Sequence, residues 1–281
     1  MKLAKTITEV RTLVAEAKTG GRRIGFVPTM GALHAGHISL VTAAKSQCDF
    51  VVVSIFVNPT QFAPGEDVDA YPRPLDDDLA KCDQAGVDVV FAPSAEQMYP
   101  QKNLSWVEVE KLTKPLCGQS RPAHFKGVTT VCAKLFNIVG PDVAYFGQKD
   151  AQQAIVIKRM VDDLNMPLKI VTCPTVREKN GLAMSSRNAY LSEDEKKQAT
   201  LLYAALRECE LLIAADLRDS KALIGEMRKL LAIGKDIKVD YISIVNADTL
   251  QEIDIVRGKV LIALAVKVGT TRLIDNVLLE I

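Results

Sequence analysis

Apolar, β-branched runs alternate with segments of helical spacing through the first two thirds of the chain. "RRIGFVPT" reads as a short buried strand, "GHISLVTAAKSQC" as a helix and "DFVVVSIFVN" as a strand again. "LDDDLAKCDQAG" then predicts a helix closed by Gly86, and "VDVVFAP" a third strand. Further on come "HFKGVTTVCAKLFNIVG" as a helix, "PDVAYFG" as a strand, "AQQAIVIKRMVDDLN" as a helix and "PLKIVTC" as a strand. The N-terminal "MKLAKTITEVRTLVAEAK" has an amphipathic helix pattern from its first residues.

After about residue 187 the rhythm changes. "LSEDEKKQATLLYAALRECELLIAA" and "SKALIGEMRKLLA" are two helices in succession, followed by "KVDYISIVNADTL" and "GKVLIALAVKVG", which read as antiparallel strands. Strands that are apolar throughout need cover on both faces, so the first part is expected to be a parallel sheet with helices on either side. The fold class is therefore α/β: a Rossmann-like doubly wound parallel sheet over residues 1–178, with a smaller C-terminal α+β domain over residues 179–281. Ligands of such a sheet sit in the crevice beyond the carboxyl ends of the strands.

Composition narrows the partners. Thirty-five basic and 34 acidic residues leave a net charge of +1, so no global electrostatic footprint for nucleic acid or an anionic membrane exists and any anion must be held locally. No apolar run reaches the ~18 residues of a membrane span, and the N-terminus has no uninterrupted apolar core of a signal peptide, which predicts a soluble, cytoplasmic chain. Six cysteines, Cys48, Cys82, Cys117, Cys132, Cys173 and Cys209, never form a C-x-x-C pair and read as small buried hydrophobes.

Candidate chemistry begins at "VPTMGALHAGHISLV", which holds two of the three histidines in the chain. With a strand ending near Thr29 and a helix beginning near Gly36, His34 and His37 lie on the first strand-to-helix connection, at the ligand edge of the sheet. Gly31 and Gly36 permit close backbone approach, helix-start N–H groups offer an anion site, and two imidazoles can donate to phosphate oxygens. Two structural histidines, or two ligands of an incomplete metal shell, are the competing readings.

This turn resembles the H-x-G-H signature of the nucleotidyltransferase superfamily, which implies attack on the α-phosphate of a nucleotide. Together with "SIFVNPTQF", "YPRPLDDDL", "RPAHFKGVTTV", "FGQKDAQQ", "GLAMSSRNAYLS" and "TRLIDN", in this order, the chain is similar to the pantoate–β-alanine ligases, from about Ile24 to Asn276. The resemblance implies that ATP and pantoate give a pantoyl adenylate with loss of pyrophosphate, and that β-alanine then displaces AMP. It implies catalytic roles for His34, His37, Lys149, Ser185, Ser186 and Arg187, and ATP contacts by Met30, Gly147, Asp150 and Val176 besides these. Gln61 and Gln153 are the pantoate residues it suggests, with Arg121, whose charge does not depend on pH near neutrality, as a further pantoate-binding candidate, and a homodimer is its implied assembly.

Read as chemistry, these residues suit those roles. Lys149 puts a point charge on a triphosphate, Asp150 can accept from ribose hydroxyls or cap the following helix, and the serines and guanidinium fork of "AMSSRN" suit pyrophosphate in a loop able to close over ATP. Asp76, Asp77 and Asp78 start a helix, where the dipole favours carboxylates in any protein. Oxygen ligands also suit the Mg²⁺ that offsets the charge of ATP, and the resemblance points to Asp77 and Asp78 for it. His124 is an alternative pocket residue or a packed structural histidine. One departure from the family is Asn180, where an aspartate is common; an amide keeps the shape, so modulation of the loop is expected and not loss. The rivals are another nucleotidyltransferase, which for RNA would call for a basic face, and a nucleotide-binding regulatory protein, which would be expected to lose His34, His37 or Lys149.

Overall fold

The computed structural model describes residues 1–63, 65–66 and 68–281, and every structural statement below concerns these residues. They form two compact units. The first is Met1–Thr113, Arg121–Gln148 and Gln153–Pro174; the second is Lys114–Ser120, Lys149–Gln152 and Thr175–Ile281.

The first unit carries six parallel strands, β1 (Lys2–Ala4), β2 (Ile24–Thr29), β3 (Phe50–Ile55), β4 (Val89–Phe91), β5 (Val143–Gly147) and β6 (Lys169–Cys173), in the order β1-β4-β3-β2-β5-β6. From β2 the chain steps to β3 and β4 on one side, while β5 and β6 extend the other. The switch point therefore lies at the carboxyl ends of β2 and β5, where a ligand crevice is expected. The helices are α1 (Ile7–Thr19), α2 (Ala35–Lys45), α3 (Leu75–Gln84), the short α4 (Ala95–Met98) and α5 (Cys117–Ser120), α6 (His124–Val139) and α7 (Ala151–Asp163); α5 and the first two residues of α7 belong to the second unit.

Alternation along the strands assigns the two faces. Val27, Val51, Val53 and Tyr145 pack with Leu40, Val41 and Ala44 of α2 and Cys82 of α3. Phe26 and Phe146, next in sequence to two of them, meet Phe136 of α6 edge-on, with centroids 6.3 and 6.4 Å apart. Helix α6 ends at Gly140 in the left-handed conformation (φ 58°), where no Cβ opposes the reversal.

The N-terminal helix starts later than the pattern suggests. Lys2–Ala4 instead pairs with β4, because three residues beside a continuous apolar strand gain sheet hydrogen bonds that a helix start would leave unmade. Thr6 then opens α1 with a capping box: its side chain accepts from the Glu9 N–H while the Glu9 carboxylate accepts from the Thr6 N–H.

In the second unit, α8 (Glu193–Ala214) and α9 (Ser220–Leu231) cover an antiparallel sheet, β7 (Ile237–Asn246), β8 (Lys259–Val268) and β9 (Thr271–Glu280), in that order. Leu202, Leu206 and Cys209 of α8 and Leu223 and Met227 of α9 share one core with Ile262, Leu264 and Val266 of β8. The "TRLIDN" stretch is the first half of β9, a strand that the hydrophobic pattern does not announce.

All six cysteines are free and buried, as their apolar surroundings suggest. Burial pushes the thiols of Cys82, Cys132 and Cys209 up to about 11, 12 and 12. No helix among the described residues is long and apolar enough to cross a membrane.

Candidate active site

The histidine turn leaves β2 at Thr29, whose hydroxyl donates to the Ser54 carbonyl (2.7 Å) and accepts from the Gly31 N–H (3.1 Å). Gly31 (φ 86°) and Ala32 (φ 51°) both occupy the left-handed region. For alanine this costs roughly 1–2 kcal/mol and needs an external hold. Asp78 supplies it. The carboxylate, wholly buried, accepts from the Ala32 N–H at 2.8 Å and the Leu33 N–H at 2.7 Å, and Lys81, one helical turn on, donates to the Leu33 carbonyl at 2.8 Å.

His34 is the N-cap of α2 and His37 its third residue, so the H-x-G-H spacing is that of a capping box built from imidazoles. His34 Nδ1 accepts from the Gly36 N–H (3.1 Å), and His37 Nδ1 accepts from the His34 N–H (3.3 Å). With both Nδ1 atoms accepting, each neutral ring carries its proton on Nε2, an assignment made from the hydrogen-bond partners. The rings lie 4.1 Å apart. The helix-start amides that the sequence suggests for an anion are in part engaged within the turn: the Gly36 N–H is spent on His34, and the His37 N–H closes on the His34 carbonyl at 2.9 Å.

Beyond β3, Asn58 and Gln61 play different parts. Buried Asn58 is consumed by the fold: Oδ1 accepts from the Thr60 N–H and hydroxyl and the Tyr99 hydroxyl, and Nδ2 donates to Gln61 Oε1 and the Gly127 carbonyl. Gln61 is thereby oriented, and its Nε2 reaches Met30 Sδ at 3.0 Å, which brings Gln61 to the histidine turn. Gly127 of α6 is required there, since a Cβ would stand 2.6 Å from Gln61 Cα. Arg121 grips Glu66 through Nε and Nη2 (2.7 and 2.6 Å) and also donates to the Gln61 carbonyl (3.4 Å). Burial pushes the Glu66 carboxyl up, but the hydrogen bond and charge of Arg121 outweigh it and hold the group below the usual carboxylate range. His124 Nδ1 also meets the Gln61 carbonyl, at 3.0 Å, a structural contact. Gly147 ends β5 with open space where a Cβ would stand, and Gln153 lies half-buried in the first turns of α7.

The other candidates sit on the second unit. The Lys149 ammonium is 3.9 Å from the Asp150 carboxylate, and the Lys149 carbonyl accepts from Asn276 Nδ2 at 2.9 Å. Val176 and Met184 face each other across a small hairpin (Met184 N–H to Val176 carbonyl, 2.9 Å) that includes an Arg177–Ala183 bridge and turns through Gly181 at φ 92°. Arg177 pins it: Nη1 and Nη2 meet Asp275 at 2.6 and 3.0 Å, Nη1 donates to the Gly181 carbonyl at 3.2 Å, and the guanidinium lies 3.9 Å from the Tyr203 ring centroid. Ser185 caps the turn Ser186–Tyr190 by accepting from the Arg187 N–H, and Asn188 ties that turn to Glu178 and the Ala183 carbonyl. Consecutive residues of β9, Asp275 and Asn276, thus anchor both the hairpin behind the Ser185–Arg187 segment and the backbone of Lys149. Asn180 Oδ1 accepts from the Leu182 N–H at 3.1 Å, a bond an aspartate oxygen would make equally.

The expected metal pair does not fit a protein-held cation. Both oxygens of Asp78 face N–H donors, Asp77 is exposed, and no cluster of three or more His, Cys, Asp or Glu suited to a metal exists among the described residues. Sequence reasoning did not find Lys81, Arg177, Asp275 or Asn276; only the "TRLIDN" motif hinted at the last two.

An imidazole capping box at the switch point of a parallel α/β sheet is the setting that suits a nucleotide-handling α/β protein. The family model described as Pantoate-beta-alanine ligase matches residues 2–278. A pantothenate synthetase of Acetivibrio thermocellus is 54% identical over the full length of both chains. Among solved structures, the pantothenate synthetase of Thermus thermophilus superposes with a TM-score of 0.94 at 42% identity, over 99% of each chain. The pantoate-beta-alanine ligase of Francisella tularensis, complexed with beta-gamma ATP and beta-alanine, gives 0.81 at 38% identity over 99% of this chain and 97% of its own. The chain belongs to the pantoate–β-alanine ligase family, and it is an enzyme.

Proposed function

We propose that the chain condenses pantoate with β-alanine through a pantoyl adenylate, releasing pyrophosphate and then AMP. The observation that carries this is the imidazole capping box, in which both Nδ1 atoms are held by backbone N–H groups and the two rings are set in place before any substrate arrives. Fixed donors act most strongly where negative charge develops, as on the α-phosphate when a carboxylate attacks it in line. Gln61, set by Asn58 and adjoining Met30, holds the pantoate with Gln153, and the attacking oxygen needs no covalent enzyme intermediate. Arg121 joins them only by sharing its fork between Glu66 and the substrate.

Lys149, Ser185, Ser186 and Arg187 meet the departing pyrophosphate; Asp150 meets the ribose; Met30, Gly147 and Val176 line the nucleotide. Mg²⁺ comes as a complex with ATP, held by phosphate oxygens, and no step here relies on a protein carboxylate for it. The Francisella tularensis relative, solved in complex with beta-gamma ATP and beta-alanine, supports ATP and β-alanine as substrates. The chain acts in the cytoplasm as a homodimer on this reading, and sedimentation at twice the chain mass would test the assembly.

The deciding experiment is exchange of labelled pyrophosphate into ATP with β-alanine absent. Exchange that depends on pantoate, and not on other short hydroxy acids, is the expected result. A folded, ATP-binding protein that shows none would overturn the adenylate route.

A further inference from the structure

We propose that Asp78 and Lys81 are positioning residues that hold the His34–His37 pair in its catalytic geometry, and that Asp78 is not a magnesium ligand. The inference rests on the reading that these histidines act on ATP. It starts from the turn itself. Two successive residues, Gly31 and Ala32, stand at φ 86° and 51°, immediately before the histidine that caps α2. A backbone in that region persists only where its surroundings over-determine it. Here three hydrogen bonds from one helix do so. Asp78 Oδ2 takes the Ala32 N–H, Asp78 Oδ1 takes the Leu33 N–H, and Lys81 Nζ gives to the Leu33 carbonyl. The residue before His34 is therefore gripped on its N–H and C=O sides at once.

The same geometry argues against a cation on Asp78. A Cβ built on Gly31 would lie 3.0 Å from Asp78 Oδ2, so the turn rests directly on the carboxylate. No room remains there for a hydrated Mg²⁺, which needs near-octahedral oxygen ligands and keeps several waters. The Lys81 ammonium, bonded to the same turn, adds a positive charge where a second one would have to enter. Asp77, exposed on the neighbouring position of α3, makes none of these contacts and serves as the internal control.

Asp78→Asn offers one oxygen and one NH₂ group where two N–H donors point, so it opposes donor to donor. A displacement of about 1 Å at the catalytic groups is enough for a loss on the order of 10²-fold. The test compares Asp78→Asn, Lys81→Met and Asp77→Asn for kcat, the KM of ATP, the Mg²⁺ concentration giving half-maximal rate, and the ¹⁵N signals of His34 and His37 without substrate. The expected result is a fall in kcat on the order of 10²-fold for Asp78→Asn and a smaller fall for Lys81→Met. Both should come with altered histidine signals and an unchanged Mg²⁺ midpoint, and Asp77→Asn should match the parent throughout. Should Asp78→Asn not fold, Lys81→Met reads the same clamp by itself. Unaltered histidine signals in Lys81→Met and Asp78→Asn, or a Mg²⁺ midpoint raised about tenfold by Asp78→Asn, would overturn the proposal. His34→Ala, run in parallel, separates the two readings: full exchange activity in that variant refutes the role of the histidines, whereas the histidine signals still report whether the clamp exists.

Discussion

Two buried aspartates organise two turns of this molecule by opposite means. Asp78, in the first unit, accepts only backbone N–H groups, from Ala32 and Leu33, while its neighbour Lys81 bonds a carbonyl of the same turn. Asp275, in the second unit, receives the fork of Arg177 and the Asn276 N–H, and through Arg177 it holds a hairpin by one of that hairpin's own side chains. For Asp78, burial pushes the carboxyl up, and the two N–H bonds pull it back only in part. The contrast teaches that a charged side chain can fix a peptide chain either by its backbone or by a complementary charge. The first fixes geometry at some cost in desolvation, whereas the second makes stability depend on both partners being present.

The largest effects should fall on the histidine turn. His34→Ala removes one Nε2–H donor, and pyrophosphate exchange is expected to fall by about 10²–10³-fold, the loss typical of one oxyanion donor. The cap disappears with it, so unfolding in urea should show a loss of ~1 kcal/mol. A variant that lost stability and kept its rate would reduce the turn to a structural device. Asp275→Asn should come next. It leaves the Arg177 guanidinium without its counter-charge, and the cost is about 3 kcal/mol, at the low end for a buried pair because the Arg177 side chain keeps 19% of its exposure. Replacing both partners by Leu and Met should recover most of that loss. If Asp275→Asn cost less than about 1 kcal/mol, the pair would behave as a surface ion pair and the contrast with Asp78 would collapse.

Cysteine chemistry can then follow each unit separately. Cys132 of α6 reports on the first unit and Cys209 of α8 on the second, and burial holds both thiols up at about 12. Because these folded values stand above the ordinary 9.0, the buried neutral thiols contribute stability fully below pH ~9, and that contribution fades as pH rises toward 12. Native protein at pH 8 should therefore resist a thiol reagent at both positions, as mapped by peptide mass spectrometry. In a urea series Asp275→Asn should bring forward the labelling of Cys209 and leave that of Cys132 in place. Simultaneous labelling of both would mean that the units unfold as one.

What could be read from sequence divides along the same physical line. Continuous apolar strands such as Phe50–Ile55 announce the parallel sheet because both of their faces are covered, and the His34–His37 spacing announces a helix start. Strand β1 is three residues long, and its Leu3 and Ala4 merge into the apolar stripe of the helix that follows, so periodicity cannot separate it. Strand β9 escaped notice because its buried positions include Asp275 and Asn276, polar residues placed where a strand pattern calls for apolar ones. Asp78 was visible as one of three helix-start carboxylates, yet nothing local distinguishes the buried one from its exposed neighbours. That distinction is made by Ala32 and Leu33, more than forty positions away. A long-range bond to a backbone N–H leaves no residue-type signature in its partner.

The smallest effect is expected at Asn180, at the tip of the hairpin. Its Oδ1 accepts the Leu182 N–H within the hairpin that Arg177 pins, and its side chain is exposed. Asn180→Asp places a carboxylate oxygen at that position, keeping the bond and adding a charge screened by solvent. Stability should change by no more than about 0.5 kcal/mol, as for an ordinary surface substitution, and kcat/KM for ATP by less than about twofold. The informative comparison is Asn180→Ala, which removes the acceptor. If the hairpin is set mainly by Arg177 and Asp275, Asn180→Ala should lower stability by no more than about 1 kcal/mol, well short of the cost of Asp275→Asn. A loss as large as that of Asp275→Asn would place control of the hairpin in its tip and not in the buried pair at its base.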